Sequence, residues 1–318
     1  MSQLIRNNVK SASLNWIKNF NNGDVQACID RYLPSAIMQV YPFGKFNSKQ
    51  EISDFWLNFA KSNPTDLVYK NIQIKVLNKK QAILSANWSM NIASGIISKE
   101  LWTLADDGQW YLEEDDFSVL TQLTEPLNEK QRTALVLVDF QNDYFEGGKF
   151  QLEETEKAAN QASKLLSKFR DENLPVIHIQ HIFEDEQATF FAPDTIGIEI
   201  HHSVAPKDNE VVIVKHYIDS FTDTDLEQTL IELGIHNLVI VGAMAQACVQ
   251  TICRSATHKG YQCTVIEDAI AAPKLAYKDE SFEGKQIIAA NLLSLTFGGA
   301  KVCTLDDYLT NLHNSSLQ

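Results

Sequence analysis

The chain has 318 residues, 44% hydrophobic and 21% charged, with a net charge of −14. That balance excludes a disordered chain, and the length suffices for two domains. Residues 1–125 are nearly neutral, so the acidity falls on 126–318, which makes a poor surface for nucleic acid or an anionic membrane. No apolar run reaches bilayer length, and the polar start, MSQLIRNNVKSASLNW, lacks the apolar core of a secretory signal. A cytoplasmic location is therefore expected. Five cysteines, an odd number with no CxxC pair, point to free thiols rather than a disulfide framework or a zinc knuckle.

Leu4, Ile5, Val9, Ala12, Trp16, Ile17 and Phe20 recur at helical spacing and predict a helix over 4–21. Asn22-Gly23 stops it. Asp24 caps a second helix, VQACIDRYL, which Pro34 ends. A strand over 36–41 and the turn Pro42-Phe43-Gly44 follow. Ser48 with Glu51 makes a capping box for a third helix holding Ile52, Phe55, Trp56 and Phe59. From Val68 the period changes to two: strands over 68–77, 82–91, 96–104 and 110–120 are joined by polar turns, the last of them Asp107-Gly108. Three helices and then an antiparallel meander form an α+β pattern, a curved sheet wrapped around helices.

The polar stretch Thr121–Gln131 reads as a linker, giving domains at 1–122 and 132–318 with 123–131 between them. The second half alternates. Strands are predicted at 133–138, 176–179, 211–214, 238–241, 262–266 and 301–304. Helices are predicted at 154–172, 225–233, after Cys248, and at 281–295, with a long loop over 182–209. Such alternation implies an α/β layer structure with a parallel sheet of about six strands.

Ligands of such sheets bind at the carboxyl ends of the strands. Asp139 follows LVLV, Lys215 follows VVIV, and Cys248 lies in the turn after LVIV. A lone cysteine is usually a small buried hydrophobe, a lone aspartate a cap, and a lone lysine a solvated charge. Together at one edge, an acid, an amine and a thiol make a candidate catalytic set. The positive end of the helix after Cys248 favours a thiolate there. The candidate pocket residues are Gln141, Phe145, His181, Phe191, Tyr217, Phe221, Met244 and Gln246.

The first half resembles the nuclear-transport-factor-like cone fold, which includes ketosteroid-isomerase-like and polyketide-cyclase-like proteins. The resemblance rests on element order, on WIKNFNNGDVQACIDRYL and on the ELWTLADDGQWYL hairpin. Isomerase members place a tyrosine and two acids in the cone. Here the first helix offers Trp16 and Phe20 instead, while alternation puts two of Glu113, Glu114, Asp115 and Asp116 on each face of the last strand. Binding or assembly is the expected use of this domain. Isomerase or cyclase activity, which would make the protein bifunctional, is the alternative.

Residues 133–310 resemble the isochorismatase-like cysteine hydrolases, through LVLVDFQNDYFEGGKF, LPVIHIQHIF, FFAPDTIGIEIHHSVAP, VIVKHYIDSFTDTDLEQTL and GIHNLVIVGAMAQACVQTICRSATHKGYQCTVIEDAIAA. The resemblance implies a catalytic triad of Asp139, Lys215 and Cys248. It also implies a cis peptide between Ala243 and Met244, with the Met244 and Cys248 amides as oxyanion donors. The implied reaction is hydrolysis of a C–N bond in a small amide through a thioester. Nicotinamidases of this group carry an Asp–His metal cluster. No comparable DxH is present, and the adjacent His201 and His202 are expected to diverge into solvent, so no metal or cofactor is expected. Many relatives have Thr-His where this chain has Ala245-Gln246. A scaffold that keeps the fold without turnover is the non-catalytic alternative. A homodimer or larger assembly is expected, with the outer face of the cone sheet as pairing surface.

Overall fold

The computed structural model describes residues 2–315, with side chains described through residue 312. The chain divides into two units, Met1–Asn128 with Leu230–Gly234, and Glu129–Thr229 with Ile235–Gln318.

In the first unit, helix α1 (Ser2–Asn21) buries Ile5, Val9, Trp16, Ile17 and Phe20 along one stripe. Helix α2 (Val25–Asp30) is capped by Asp24, whose carboxylate accepts the Ala27 N–H at 3.0 Å. Strand β1 (Tyr32–Tyr41) begins four residues before the predicted start and runs through Pro34. Strand β2 (Gly44–Phe46) pairs only with Met38–Val40, so Pro34 sits on an open edge where its missing N–H costs no ladder bond. Helix α3 (Lys49–Phe59) starts at Ser48, whose hydroxyl accepts the Glu51 N–H. The Glu51 carboxylate reaches back to the Asn47 amide rather than closing a box on Ser48.

Strands β3 (Val68–Val76), β4 (Gln81–Ser89), β5 (Ala93–Leu104) and β6 (Trp110–Gln122) complete a six-stranded sheet of order β2-β1-β6-β5-β4-β3. Its pairings are antiparallel except β1 with β6, which is parallel. The expected wholly antiparallel sheet is corrected at that one pair: the meander ends beside β1 running in the same direction. Three bulges break the alternation of β5 and β6, the first where Ser94 and Gly95 face Thr121 and Val119, leaving Leu120 extra. Ile97 and Lys99 face the consecutive residues Phe117 and Asp116, leaving Ser98 extra; Leu101 and Trp102 face Glu114 and Leu112, leaving Glu113 extra. Past each bulge the facing flips, so Glu100 and Asp115 turn inward. Asp115 alone of the 113–116 run is buried.

In the second unit, β7 (Thr133–Val138), α4 (Thr155–Asp171), β8 (Val176–His181), β9 (Val211–Lys215), α5 (Leu226–Glu232), β10 (Asn237–Ala243), α6 (Gln250–His258) and β11 (Gln262–Ala271) follow in turn. A small hairpin of β12 (Leu275–Tyr277) and β13 (Glu280–Phe282) precedes α7 (Gly284–Phe297), β14 (Lys301–Cys303) and α8 (Leu305–Ser315). The sequence places the helix over 281–295 and misses both the hairpin and α8. The sheet has order β14-β11-β10-β7-β8-β9 and every pairing in it is parallel. Its strands are near-continuous apolar runs because helices cover both faces. Helix α7 buries little beyond Gly284 and Leu295, leaving Leu293 62% and Phe297 86% exposed.

Gly242 fixes where β10 meets β7. It pairs with Val138 at a φ of +132°, and a Cβ there would lie 2.1 Å from the Val138 carbonyl oxygen. That close approach brings the turn after β10 beside the residue that follows β7, Asp139.

Candidate active site

Four neighbouring strands, β10, β7, β8 and β9, end at one edge of the parallel sheet. Their ends supply Cys248, Asp139, His181 and Lys215. Asp139 follows β7 with φ of +51°, a left-handed backbone uncommon for a residue with a Cβ. Lys215 is the last residue of β9 and the register partner of His181 at the end of β8. The peptide Ala243–Met244 is cis. A wide π-type turn, Ala245–Val249, carries Cys248 into α6, and the Met244 carbonyl accepts the Ala247 and Val249 amides.

The Lys215 ammonium lies 2.9 Å from an Asp139 carboxylate oxygen, both side chains fully buried. That contact is an ion pair by distance only: among the described residues neither Asp139 oxygen has a well-angled hydrogen-bond donor, while Lys215 donates to the Ile218 carbonyl at 3.1 Å. The carboxylate therefore keeps unused acceptor capacity next to the sulfur. Cys248 is 2% exposed, and its Sγ is 4.0 Å from His181 Nδ1.

Burial sets the protonation states. Burial pushes the Cys248 thiol well up, the Asp139 charge pushes it further, and Lys215 only partly opposes them. Loss of water thus opposes the thiolate that the helix end and the Lys215 ammonium favour. For Lys215, burial pulls the pKa down, but Asp139 and Cys248 outweigh it and leave the amine above its ordinary value. Burial lowers His181, which is a neutral imidazole at pH 7.

The other candidate residues separate into those near the sulfur and those elsewhere. Gln141 is consumed by structure: its amide donates to the His181 and Ile198 carbonyls at 2.7 and 2.9 Å and accepts the His181 N–H at 2.7 Å. It clamps the ends of β7 and β8 and has no group left for a ligand. Phe145 stacks on His201 with ring centroids 3.6 Å apart. His202 lies 4.1 Å from His201, so the adjacent histidines pack together rather than diverge. Tyr217 is 49% exposed. Phe221 packs against Tyr261 and under Lys259, beyond the far end of α6 from Cys248, which removes it from the site. Met244 accepts the Gln246 amide on its sulfur at 3.6 Å, and the Gln246 carbonyl oxygen is buried without a donor among the described residues.

Phe191 stays near the site, its ring 6.0 Å from that of His181. Sequence reasoning missed its companions. Phe183 lies 4.4 Å from the His181 ring and edge-on to Phe190, and Tyr144 lies 4.5 Å from Phe191. The signal was the Phe190-Phe191 pair inside a polar loop. Asp143 secures that loop by accepting the Phe191 amide at 2.7 Å. His181 also changes the metal question. Asp139, His181 and Cys248 each offer one ligand atom, all within 4.8 Å of one another. That mixed N, O and S set suits a borderline-soft divalent ion, with the Lys215 ammonium competing for the carboxylate.

A parallel sheet with a buried acid, amine and thiol at one edge defines an α/β domain built for hydrolytic chemistry at its strand ends. Residues 133–295 match the Isochorismatase domain, and the chain belongs to the isochorismatase family of hydrolases. It is similar to the uncharacterized isochorismatase family protein YddQ of Bacillus subtilis, 45% identical over 56% of this chain and 98% of YddQ. It is also similar to the ureidoacrylate amidohydrolase RutB of Agrobacterium fabrum, 26% identical over 46% of this chain and 78% of RutB. A putative isochorismatase hydrolase from Oleispira antarctica shares the fold at a TM-score of 0.56 and 43% identity, across 58% of this chain and 99% of that one.

Proposed function

We propose that the protein is a cysteine hydrolase that cleaves the C–N bond of a small amide through Cys248, Asp139 and Lys215. The observation that carries this reading is the fully buried Asp139–Lys215 pair beside a buried thiol. Burying two charges is costly and adds little net stability, so a pair kept there has a chemical use. The amidohydrolase named among its relatives supports the same bond type.

The resting thiol defines the first step. As the sulfur attacks the substrate carbonyl carbon, its proton passes to Asp139, and the carbonyl π electrons move to oxygen. The Met244 and Cys248 amides receive that oxyanion. Lys215 holds the carboxylate in place and offsets negative charge as it moves. The C–N bond then breaks, the amine takes the proton from Asp139, and a thioester remains. Asp139 next takes a proton from water, whose oxygen attacks the thioester; the acid leaves and the proton returns to sulfur.

A panel of small amides and ureas, assayed for ammonia release, tests the reading. Turnover falls about 10³-fold or more in Cys248→Ala and in Asp139→Asn, with folding intact by circular dichroism. If no member of the panel is turned over and Cys248 does not acylate, the scaffold reading stands instead.

The first unit serves, as a nuclear-transport-factor-like cone, in ligand binding or assembly, a reading supported by its element order and by a sheet that shares one core with α1 and α3. Self-association into a dimer or larger assembly is part of this proposal; the exposed apolar side of α7 favours it.

A further inference from the structure

The first unit encloses a cavity of about 540 Å³, within the size range of small-molecule sites. Rings stand along its wall, among them Trp16, Phe20, Trp56, Phe59, Trp88 and Phe117. Trp56 stacks on Phe117 at 6.1 Å and meets Trp16 edge-on at 5.3 Å, which leaves flat aromatic faces on the interior. Two acids, Glu100 and Asp115, break this apolar wall, and among the described residues no lysine, arginine or histidine lines it.

The two acids are register partners across β5 and β6, turned inward by the bulges at Ser98 and Glu113. Each is held by buried donors. Tyr69 and Trp102 donate to the two Glu100 oxygens at 2.9 and 2.7 Å. Tyr32 donates to Asp115 at 2.5 Å and itself accepts the Trp56 N–H at 3.2 Å. Facing carboxyls in a dry wall cannot both ionise cheaply. Burial and the Asp115 charge push Glu100 up to about 8, and burial pushes Asp115 up to about 7. The pair thus keeps a proton at neutral pH and presents an O–H donor. Independently, the wall residue Trp88 is 5% exposed, and its indole N–H has no partner among the described residues.

We infer that this cavity binds an uncharged aromatic small molecule bearing a carbonyl acceptor, with its rings among the aromatic wall and its carbonyl oxygen hydrogen-bonded by the Glu100–Asp115 pair. An anionic ligand is rejected, because its charge would face two acids with no cation on the wall. This site is separate from the thiol chemistry and does not depend on the hydrolase reading.

The test uses the full-length protein and two fluorescent naphthalenes of similar size: prodan, a neutral aromatic ketone, and 2-naphthoate, a carboxylate. Prodan is expected to saturate at one site with blue-shifted emission and quenching of tryptophan emission. Naphthoate binds about tenfold or more weakly. Met90→Trp, which fills the cavity, abolishes prodan binding; Glu100→Gln, which keeps a donor, retains it within about threefold. Should Met90→Trp not fold, the ketone-to-carboxylate ratio on the wild type decides. Cys248→Ala binds prodan like the wild type whether or not any amide is hydrolysed. Prodan that fails to saturate, naphthoate that binds equally well, or loss of prodan binding in Cys248→Ala each overturns the inference.

Discussion

Burial pushes the Cys248 thiol up because the cost of an anion in a dry site exceeds what one ammonium returns. That ordering makes opposite predictions for its two neighbours. Alkylation by iodoacetamide, followed by mass spectrometry at Cys248, is expected to be slow at pH 7.5 and to rise with pH beyond the ordinary thiol value of 9.0. Asp139→Asn removes a charge that disfavours the thiolate, so it shifts the profile to lower pH. Lys215→Ala removes the charge that favours it and shifts the profile higher. Equal profiles in all three proteins would mean that neither charge reaches the sulfur. At this scale the sequence was informative about which residues meet at the sheet edge but not about how burial acts on their charge. Asp139, Lys215 and Cys248 each follow an apolar run, and a parallel sheet brings such positions together. Burial depth is not a local property of sequence, so the opposing effect of burial on the thiol was not legible in it. The same limit hid the use of Gln141 as a clamp, since its three hydrogen bonds go to His181 and Ile198, 40 and 57 residues away.

At the level of elements, the close contact of β10 with β7 is what aligns the thiol-bearing turn with the carboxylate. Gly242→Ala forces a methyl group toward the Val138 carbonyl at a backbone angle that a Cβ disfavours. A loss of about 3 kcal/mol or more in urea unfolding is expected, with an unchanged m-value. A loss under about 0.5 kcal/mol would show that the strands can separate freely there. The strands of the second unit were legible because apolar runs bounded by polar residues survive without context. The facing of β5 and β6 was not. Strict alternation assigns sides to all four acids of the 113–116 run, whereas one extra residue in each strand reassigns them. The tyrosines that donate to these acids lie on β1 and β3, where no local periodicity marks them as partners of an acid.

At the scale of the molecule, helix α7 sets the prediction. Leu293 and Phe297 leave an apolar strip in water on an otherwise acidic unit. Light scattering is expected to give at least twice the mass of 35.8 kDa at micromolar concentration. Phe297→Glu lowers that mass without lowering thermal stability, whereas a wild-type monomer would remove α7 as a contact. The sequence marks two halves by a switch in period, from two in the first to strand–helix alternation in the second, while the return of Leu230–Gly234 to the first unit has no local mark. A different consequence attaches to Ser98 and Glu113. Because each adds a single position to its strand, the polarity of the chamber behind them is controlled by chain length rather than by residue type. Deleting either one would rotate everything between it and the next turn by half a revolution. Among related chains, a one-residue gap at 98 or 113 would therefore mark those whose interior has lost its acid, even where glutamate and aspartate are still spelled out nearby.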